Sequence, residues 1–403
     1  MKTSRPSRSE PPEVLSTHRD KEHEIDVLIP NFADLGAQRV AINAANGLFE
    51  RGYRVRFVVN ERCGPFDRYL NSEIEVLVLD ERIAKIPKLR VLLRILAYVR
   101  SVPRDRRSTL ISFAPIMNVN VIIAGLLRPR ARSVIQEHAF QSVALADRSS
   151  HSWLFEFLYR TFLVRLYHRA DLFLTIAEAI RKDFVESFGL KYDRTHVIAN
   201  PVDIERIGAL ASESPHDFEF LAGRKYLIGI GRLEAQKNFH RLIRIFARVA
   251  GRHDAVDLVI LGKGELHDSL QKLVHDLGLH DRVHLLGFKP NPYAFLSRST
   301  LFCLSSDWEG LPQVIAEAMI CGTPVVSHAC KSGPDEMIHD YKTGRLVPYD
   351  DESAFADAVL DLLSDDGQRR SIGEQAREWS LDAYSMRRFI DSYEEVIHNL
   401  HRS

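Results

Sequence analysis

No stretch of this sequence is apolar for long enough to cross a bilayer. A spanning helix needs about 20 consecutive apolar residues, and the best candidate, around Val119 to Leu127, is short and interrupted by Asn120. The lead segment, Met1 to Glu24, lacks the apolar centre of a secretory signal and reads as a disordered tail. Cysteine is scarce. Cys63, Cys303, Cys321 and Cys330 show no metal-ligand spacing, and Cys303 and Cys321 fall inside apolar patterns that a buried free thiol explains. Nothing here asks for an oxidising compartment, so the expected location is the cytoplasm. A repeat of fixed period is also missing, which argues against a solenoid.

Net charge is absent as well, with 54 basic and 54 acidic residues, but the balance is not local. Residues 1–200 hold 31 Lys and Arg against 23 Asp and Glu, which leaves 23 against 31 for residues 201–403. Two halves of opposite sign point to two domains with different partners, and the basic half is the one suited to anionic surfaces. A chain of 403 residues is also too long for one ordinary core.

What is present is a short apolar run, a turn and a helical stretch, repeated. Ile25 to Ile29, Arg54 to Val59, Glu75 to Leu79, Thr109 to Phe113, Val134 to Gln136, Leu172 to Ile176 and His196 to Ile198 are strand-like. The second half continues with Tyr226 to Ile230, Asp257 to Leu261, Val283 to Leu286, Leu301 to Leu304, Thr323 to Val326 and Gly344 to Val347. Alternating apolar strands and helices imply an α/β protein with two parallel sheets in tandem, each covered on both faces. Pro201 restricts Asn200 to an extended conformation and marks the boundary, followed by a polar connector through Ser212 to Asp217. The last segment, Tyr384 to Leu400, reads as a helix with Phe389, Tyr393, Val396 and Ile397 on one stripe. The expected divisions are a tail over 1–24, domains over 25–200 and 201–380, and a final helix within 381–403.

Chemistry is expected at strand-to-helix turns. In Trp308-Glu309-Gly310-Leu311-Pro312 through Glu317 to Gly322, Pro312 suits a helix first turn, and Gly310 lets a ligand approach the backbone. Free amides at such a helix start seat a phosphate or a polar sugar. Glu309 and Glu317 flank that seat and can accept from sugar or ribose hydroxyls. Either carboxylate alone reads better as a cap or a solvated helix residue; the pair around a Gly-Leu-Pro turn favours a site. Gly231-Arg232-Leu233 through Lys237-Asn238 places two cations where they can meet across a turn and neutralise a diphosphate. Glu234 stands where a dinucleotide fingerprint needs its third glycine. Gly262-Lys263-Gly264-Glu265 lacks a P-loop ending and is either a simple turn or a ligand-facing one. In the first half, Asn31 to Arg39 with Gly36, and Glu137-His138, lie at carboxyl ends of strands, which face the cleft of an open α/β sheet.

Residues 82–107 hold nine Lys and Arg and one acid, Asp105, with Ile86, Leu89, Leu92, Leu93, Leu96 and Val99 as an apolar stripe beside Arg90 and Arg94. Such a helix either lies in an anionic membrane interface or packs on the core with a solvated basic face. No basic-aromatic module or zinc pattern supports nucleic-acid binding.

With Glu309, seven intervening residues and Glu317, the sequence resembles glycosyltransferase family 4, retaining enzymes of the GT-B fold. Gly231-Arg232-Leu233 with Lys237-Asn238, Ile198-Ala199-Asn200-Pro201-Val202-Asp203 and Ser332-Gly333-Pro334-Asp335-Glu336 support it. The resemblance implies two Rossmann-like domains facing across a cleft, with the final helix returning to the first. It implies a nucleotide diphosphate sugar donor, with a UDP-sugar favoured, and a glycan or lipid-linked acceptor. Arg232 and Lys237 would bind the diphosphate, Glu309 the sugar hydroxyls and Glu317 the ribose. The amides near Gly310 and Leu311 would face the donor, Gly287-Phe288 would lie near the base, and His138 would serve the acceptor side or donor sugar. No metal or other cofactor is implied, and the sequence contains no Asp-x-Asp. One departure is Leu35-Gly36-Ala37-Gln38, where many relatives have Gly-Gly-Ala-Glu. Rival expectations are a UDP-sugar epimerase on the same fold and a non-catalytic sugar-nucleotide or lipid-binding protein.

Overall fold

The computed structural model describes residues 23–82, 90–138, 140, 142, 162–214, 223–331 and 333–402. Most of the expected tail (residues 1–22), Ile86 and Leu89 of the basic stripe, the end of the connector (residues 215–217) and Ser332 lie outside the described residues.

The apolar runs form two sheets, each wholly parallel. The first contains β1 (Glu24–Ile29), β2 (Arg54–Val59), β3 (Glu75–Val78), β4 (Ser108–Ser112), β5 (Ala131–Glu137), β6 (Leu172–Thr175) and β7 (Thr195–Val197), in the order β3-β2-β1-β4-β5-β6-β7. The second contains β8 (Lys225–Ile230), β9 (Val256–Leu261), β10 (Val283–Gly287), β11 (Leu301–Leu304), β12 (Val325–His328) and β13 (Arg345–Val347), in the order β10-β9-β8-β11-β12-β13. Central strands such as β9 and β11 are buried along their whole length, as expected for parallel strands covered on both faces. Each sheet separates two apolar clusters. The two-sheet α/β expectation is therefore met.

Most strand boundaries shift by a residue or more from the sequence reading, β5 for example starting at Ala131 rather than Val134, and two of the shifts have a clear cause. β12 starts at Val325 rather than Thr323. The Thr323 amide is bonded to Ala318 O (2.9 Å), its hydroxyl donates to Leu296 O (2.7 Å), and Pro324 has no N–H for a ladder. The final helix is Met386–Arg402 rather than Tyr384 to Leu400, because the Tyr384 amide closes the preceding helix on Ser380 O (3.1 Å). Its buried residues Phe389, Ile390, Tyr393 and Ile397 join the first sheet's cluster, not the second's.

Strand order locates the cleft. In the first sheet the order reverses between β1 and β4, and in the second between β8 and β11. Loops after those strands diverge to opposite faces and leave a crevice at the carboxyl edge, the place where open α/β sheets bind ligands. The loops after β8 and β11 are residues 231–238 and 305–312.

Candidate active site

The floor of the crevice is built where three strands of the second sheet end together. The amide of Gly231 donates to Leu261 O (3.0 Å), that of Gly262 to Gly287 O (2.9 Å), and that of Leu233 to Lys263 O (2.9 Å). A Cβ on Gly262 would lie 1.8 Å from Gly231 O, so the two turns touch backbone to backbone. The Gly262–Gly264 turn, open in the sequence reading, is thus a buttress under the Arg232 loop.

That loop turns through Asn238, which takes a left-handed conformation (φ 44°) and caps the helix Phe239–Ala250 by accepting from the Arg241 amide (3.1 Å). The Asn238 side chain also donates to Asp307 (3.0 Å), and the Ser305 hydroxyl donates to Lys237 O and Asn238 O (both 3.0 Å). The loops after β8 and β11 are therefore bonded into one body. Within it, Lys237 Nζ donates to Glu309 Oε1 at 2.6 Å, and Ser306 Oγ donates to the same oxygen at 2.6 Å. Both Lys237 and Glu309 side chains are largely buried. An ammonium and a carboxylate, held at the crevice with little water around them, interact strongly and keep fixed positions.

Arg232 is not drawn into this pair. Its side chain is 68% exposed and bonds Glu234 (2.9 Å), so the two loop cations have separate partners. Pro312 immediately precedes the helix Gln313–Ile320, which stops before Gly322 (φ 77°). Glu317, inside that helix, is half-buried and accepts from Tyr293 OH (3.3 Å). Burial raises its carboxyl above the ordinary range, against the opposing pull of the Tyr293 hydroxyl and the Arg39 charge. Gly287 ends β10, and the ring of Phe288 beside it is exposed, with the Lys263 ammonium 5.8 Å from its centre. Leu311 packs against apolar clusters of both sheets.

Across the crevice, the carbonyl of His138 lies 3.7 Å from the point a Cβ on Gly310 would occupy. The His138 ring stacks on Phe113 (6.0 Å between centres), and its buried Nε2 has no hydrogen-bond partner among the described residues. Burial pushes its pKa down to about 4, so the neutral imidazole prevails at neutral pH. Adjacent Glu137 points into the first core, where Oε1 accepts from Asn118 (2.8 Å) and Tyr167 (2.9 Å). Burial outweighs those bonds and raises its pKa to about 7. Gly36 opens the helix Gly36–Glu50, with nothing within 4 Å of where a Cβ would be. Leu35 is extended (φ −128°, ψ 152°), a conformation open to any residue, so the departure from glycine there causes no backbone strain.

The structure brings Lys237 and Glu309 together, sets Gly310 opposite His138, and leaves Arg232, Phe288 and Gly36 on the rims. Sequence reasoning missed Ser306 and Tyr293, each an ordinary polar residue whose role comes from a partner in the fold. It quoted Glu336 without a role. Among the described residues, no group of three or more His, Cys, Asp or Glu side chains is arranged to hold a metal ion.

The family model Glycosyl transferases group 1 matches residues 212–379, and Glycosyltransferase Family 4 matches residues 36–206. The N-acetylgalactosamine-N,N'-diacetylbacillosaminyl-diphospho-undecaprenol 4-alpha-N-acetylgalactosaminyltransferase of Campylobacter jejuni is 32% identical over 260 residues, covering 64% of this chain and 68% of the relative. The lipopolysaccharide core biosynthesis glycosyltransferase LpsE of Rhizobium meliloti is 34% identical over 171 residues, covering 42% of this chain and 49% of the relative. The crystal structure of Anabaena Alr3699/HepE in complex with UDP matches with a TM-score of 0.73 at 21% identity, over 93% of this chain and 100% of that one. At that identity the likeness establishes a common fold, the GT-B arrangement of two parallel sheets.

Proposed function

The chain belongs to the glycosyltransferases, with a family 4 module before a group 1 module, and from that premise we propose that it is a retaining hexosyltransferase. It moves a hexose or N-acetylhexosamine from a nucleotide diphosphate sugar, UDP-linked, onto a glycan or lipid-linked acceptor. The observation that carries this reading is the Lys237–Glu309–Ser306 cluster at the reversal of strand order in the second sheet. The Anabaena structure was solved with UDP, and the name of the Campylobacter relative specifies a diphospho-undecaprenol acceptor and N-acetylgalactosaminyl transfer; both fit the reading.

In the proposed reaction an acceptor hydroxyl attacks the anomeric carbon from the face the diphosphate leaves. The bond to the diphosphate breaks, its electron pair goes to the departing phosphate oxygen, and that oxygen takes the hydroxyl proton. Lys237 and Arg232 stabilise the negative charge that develops there, the role of preorganised cations in a dry site. Glu309 binds donor sugar hydroxyls. Its carboxylate already accepts from an ammonium and a hydroxyl, which lowers its nucleophilicity and suits binding better than covalent attack. Glu317 holds the ribose, Gly310 and Leu311 offer amides to the donor, and Gly287-Phe288 flank the base. Gly36 and the neutral His138 line the acceptor side. The reading assigns charge neutralisation to side chains, with no metal.

The test is transfer from a panel of UDP- and GDP-sugars, run with EDTA present. Lys237→Ala and Glu309→Ala should each lower kcat by about 10²-fold or more without a change in circular dichroism. Near-normal turnover in either variant would sink the site assignment, loss of wild-type transfer in EDTA would return the neutralising role to a metal, and epimerised free donor would favour an epimerase.

Peripheral membrane contact at the cytoplasmic face is the second part of the proposal. No helix among the described residues is long and apolar enough to cross a membrane. Arg90 and Arg94, which the membrane alternative would turn toward lipid, are instead paired with Asp80 and Glu61. The helix Arg90–Ser101 buries Ile95, Tyr98 and Val99 and leaves Val91, Leu92 and Leu96 exposed. Contact is accordingly assigned to those apolar residues. Leu92→Asp with Leu96→Asp should reduce co-sedimentation with anionic vesicles severalfold, and unchanged binding would refute it.

A further inference from the structure

A carboxylate of one sheet's side caps a helix of the other's. Glu336 sits in the short helix Pro334–Met337 after β12. Its Oε2 accepts from the Glu178 amide at 2.6 Å, and its Oε1 from the Ala179 amide at 2.8 Å. Those are the first two amides of the helix Glu178–Phe188, which follows β6 in the first sheet's half. The residue before them, Ala177, has no side chain able to take a helix-start amide. A helix that lacks a cap in its own sequence is therefore capped from across the crevice, by a charge of the sign its positive end attracts.

The same helix turn touches the donor loop. Ile180 Cδ1 lies 3.8 Å from where a Cβ on Gly310 would stand, and Leu311 packs on clusters of both sheets. The turn that carries Glu336 is in turn stacked on that loop. Gly333 (φ 91°) has no room for a Cβ, which would come 2.6 Å from both Gly310 O and Pro312 Cδ. One residue further, the Glu309 amide donates to Lys331 O (3.3 Å), and Trp308 and Lys331 form an isolated parallel bridge. Glu309 and Glu336 thus lie on two segments joined backbone to backbone, one end holding the Lys237 ammonium and the other gripping the opposite half.

We propose that Glu336 is a positioning residue: it clamps the first turn of Glu178–Phe188 onto the donor loop and so sets the separation between His138 and Glu309. Its effect on turnover rests on the glycosyltransferase reading; the clamp itself does not. A helix cap that acted only on stability would shift melting and leave kcat alone. A clamp acts on kcat, because reacting groups misplaced by about 1 Å lose much of their rate, and it leaves nucleotide affinity in the second half intact.

The test removes the contact from each side. Glu336→Ala deletes the acceptor, and Glu336→Gln keeps one uncharged oxygen. Glu178→Pro deletes an N–H at a helix first position, where proline fits because Ala177 is already extended (φ −151°, ψ 149°). Glu178→Ala keeps the N–H and serves as control. Three quantities are read: kcat at saturating donor and acceptor, UDP affinity by calorimetry, and the spin-label distance between native, exposed Cys63 and a Lys272→Cys site. Glu336→Ala and Glu178→Pro should lower kcat about tenfold or more, keep UDP affinity within about twofold, and broaden the distance distribution. Glu336→Gln should fall between, and Glu178→Ala should match wild type. A kcat for Glu336→Ala within about twofold of wild type, or an unchanged distance distribution, overturns the clamp, even if melting falls. Should wild type transfer no sugar at all, the functional reading fails, and the distance measurement alone still decides the clamp.

Discussion

Glu137 and His138 are neighbours in sequence and are driven in opposite directions by the same cause. Burial disfavours charge on each, raising the carboxyl to about 7 and lowering the imidazole to about 4. For Glu137 the folded state keeps its proton between the ordinary value of 4.5 and about 7, where the unfolded chain has released it. Stability from this group is therefore full below 4.5 and is lost as pH rises through about 7. For His138 the unfolded chain binds the extra proton between about 4 and 6.5, so its contribution increases with pH over that window. Glu137→Gln keeps an uncharged acceptor for Asn118 and Tyr167, and its stability should decline less than wild type's from pH 5 to 8. Urea unfolding across that range checks it, and parallel declines would disprove the assignment. At this scale the sequence identified chemically apt residues at strand ends. It could not identify Tyr293 as the partner of Glu317, because that bond joins two separate helices, nor Ser306 as a second donor to Glu309, because only the conformation of their shared loop turns the hydroxyl onto the carboxylate.

Among the elements, strands were the most legible and turns the least. An apolar run bounded by turn residues states its own strand, as at β2, β8 and β11. The start of β12 was misplaced because Thr323 spends its donors on Ala318 and Leu296, which lie outside its own run. The Gly333 turn makes the same point with a consequence. Its left-handed backbone and the 2.6 Å approach to Gly310 O leave no place for a side chain. Gly333→Ala should cost about 2 kcal/mol of stability, lowering Tm by roughly 4–8 °C, and should weaken UDP binding by displacing the donor loop. A melting curve and calorimetry check both effects, and a wild-type profile in both would show that the turn adapts.

Across the whole molecule, the last helix belongs to the half of the chain from which it is most distant in sequence. Phe389, Ile390, Tyr393 and Ile397 complete the first sheet's core, Tyr393 donates to Gln136, and Arg51 pairs with Asp391 (2.5 Å) and Glu394 (2.8 Å). Four such buried side chains are worth on the order of 8 kcal/mol, comparable with the whole stability of an ordinary domain. Truncation after Ser385 should therefore unfold or aggregate the first sheet's half while nucleotide binding to the second persists in limited proteolysis and calorimetry. A truncated chain with an intact first half would show that the helix is dispensable.

The sequence by itself determined the alternation of strands and helices, the two parallel sheets, the placement of Lys237, Glu309 and His138 in turns after strands, and that of Glu317 in the helix that follows. These follow from local pattern, since apolar period and turn residues act over a few positions. Only the tertiary structure decided that Lys237 pairs with Glu309 while Arg232 turns outward to Glu234, that Arg90 and Arg94 are neutralised by Asp80 and Glu61, and that Glu336 caps a helix across the crevice. Such pairings depend on which strand ends the sheet order brings side by side, and that order is set by burial summed over the whole chain rather than by any one segment.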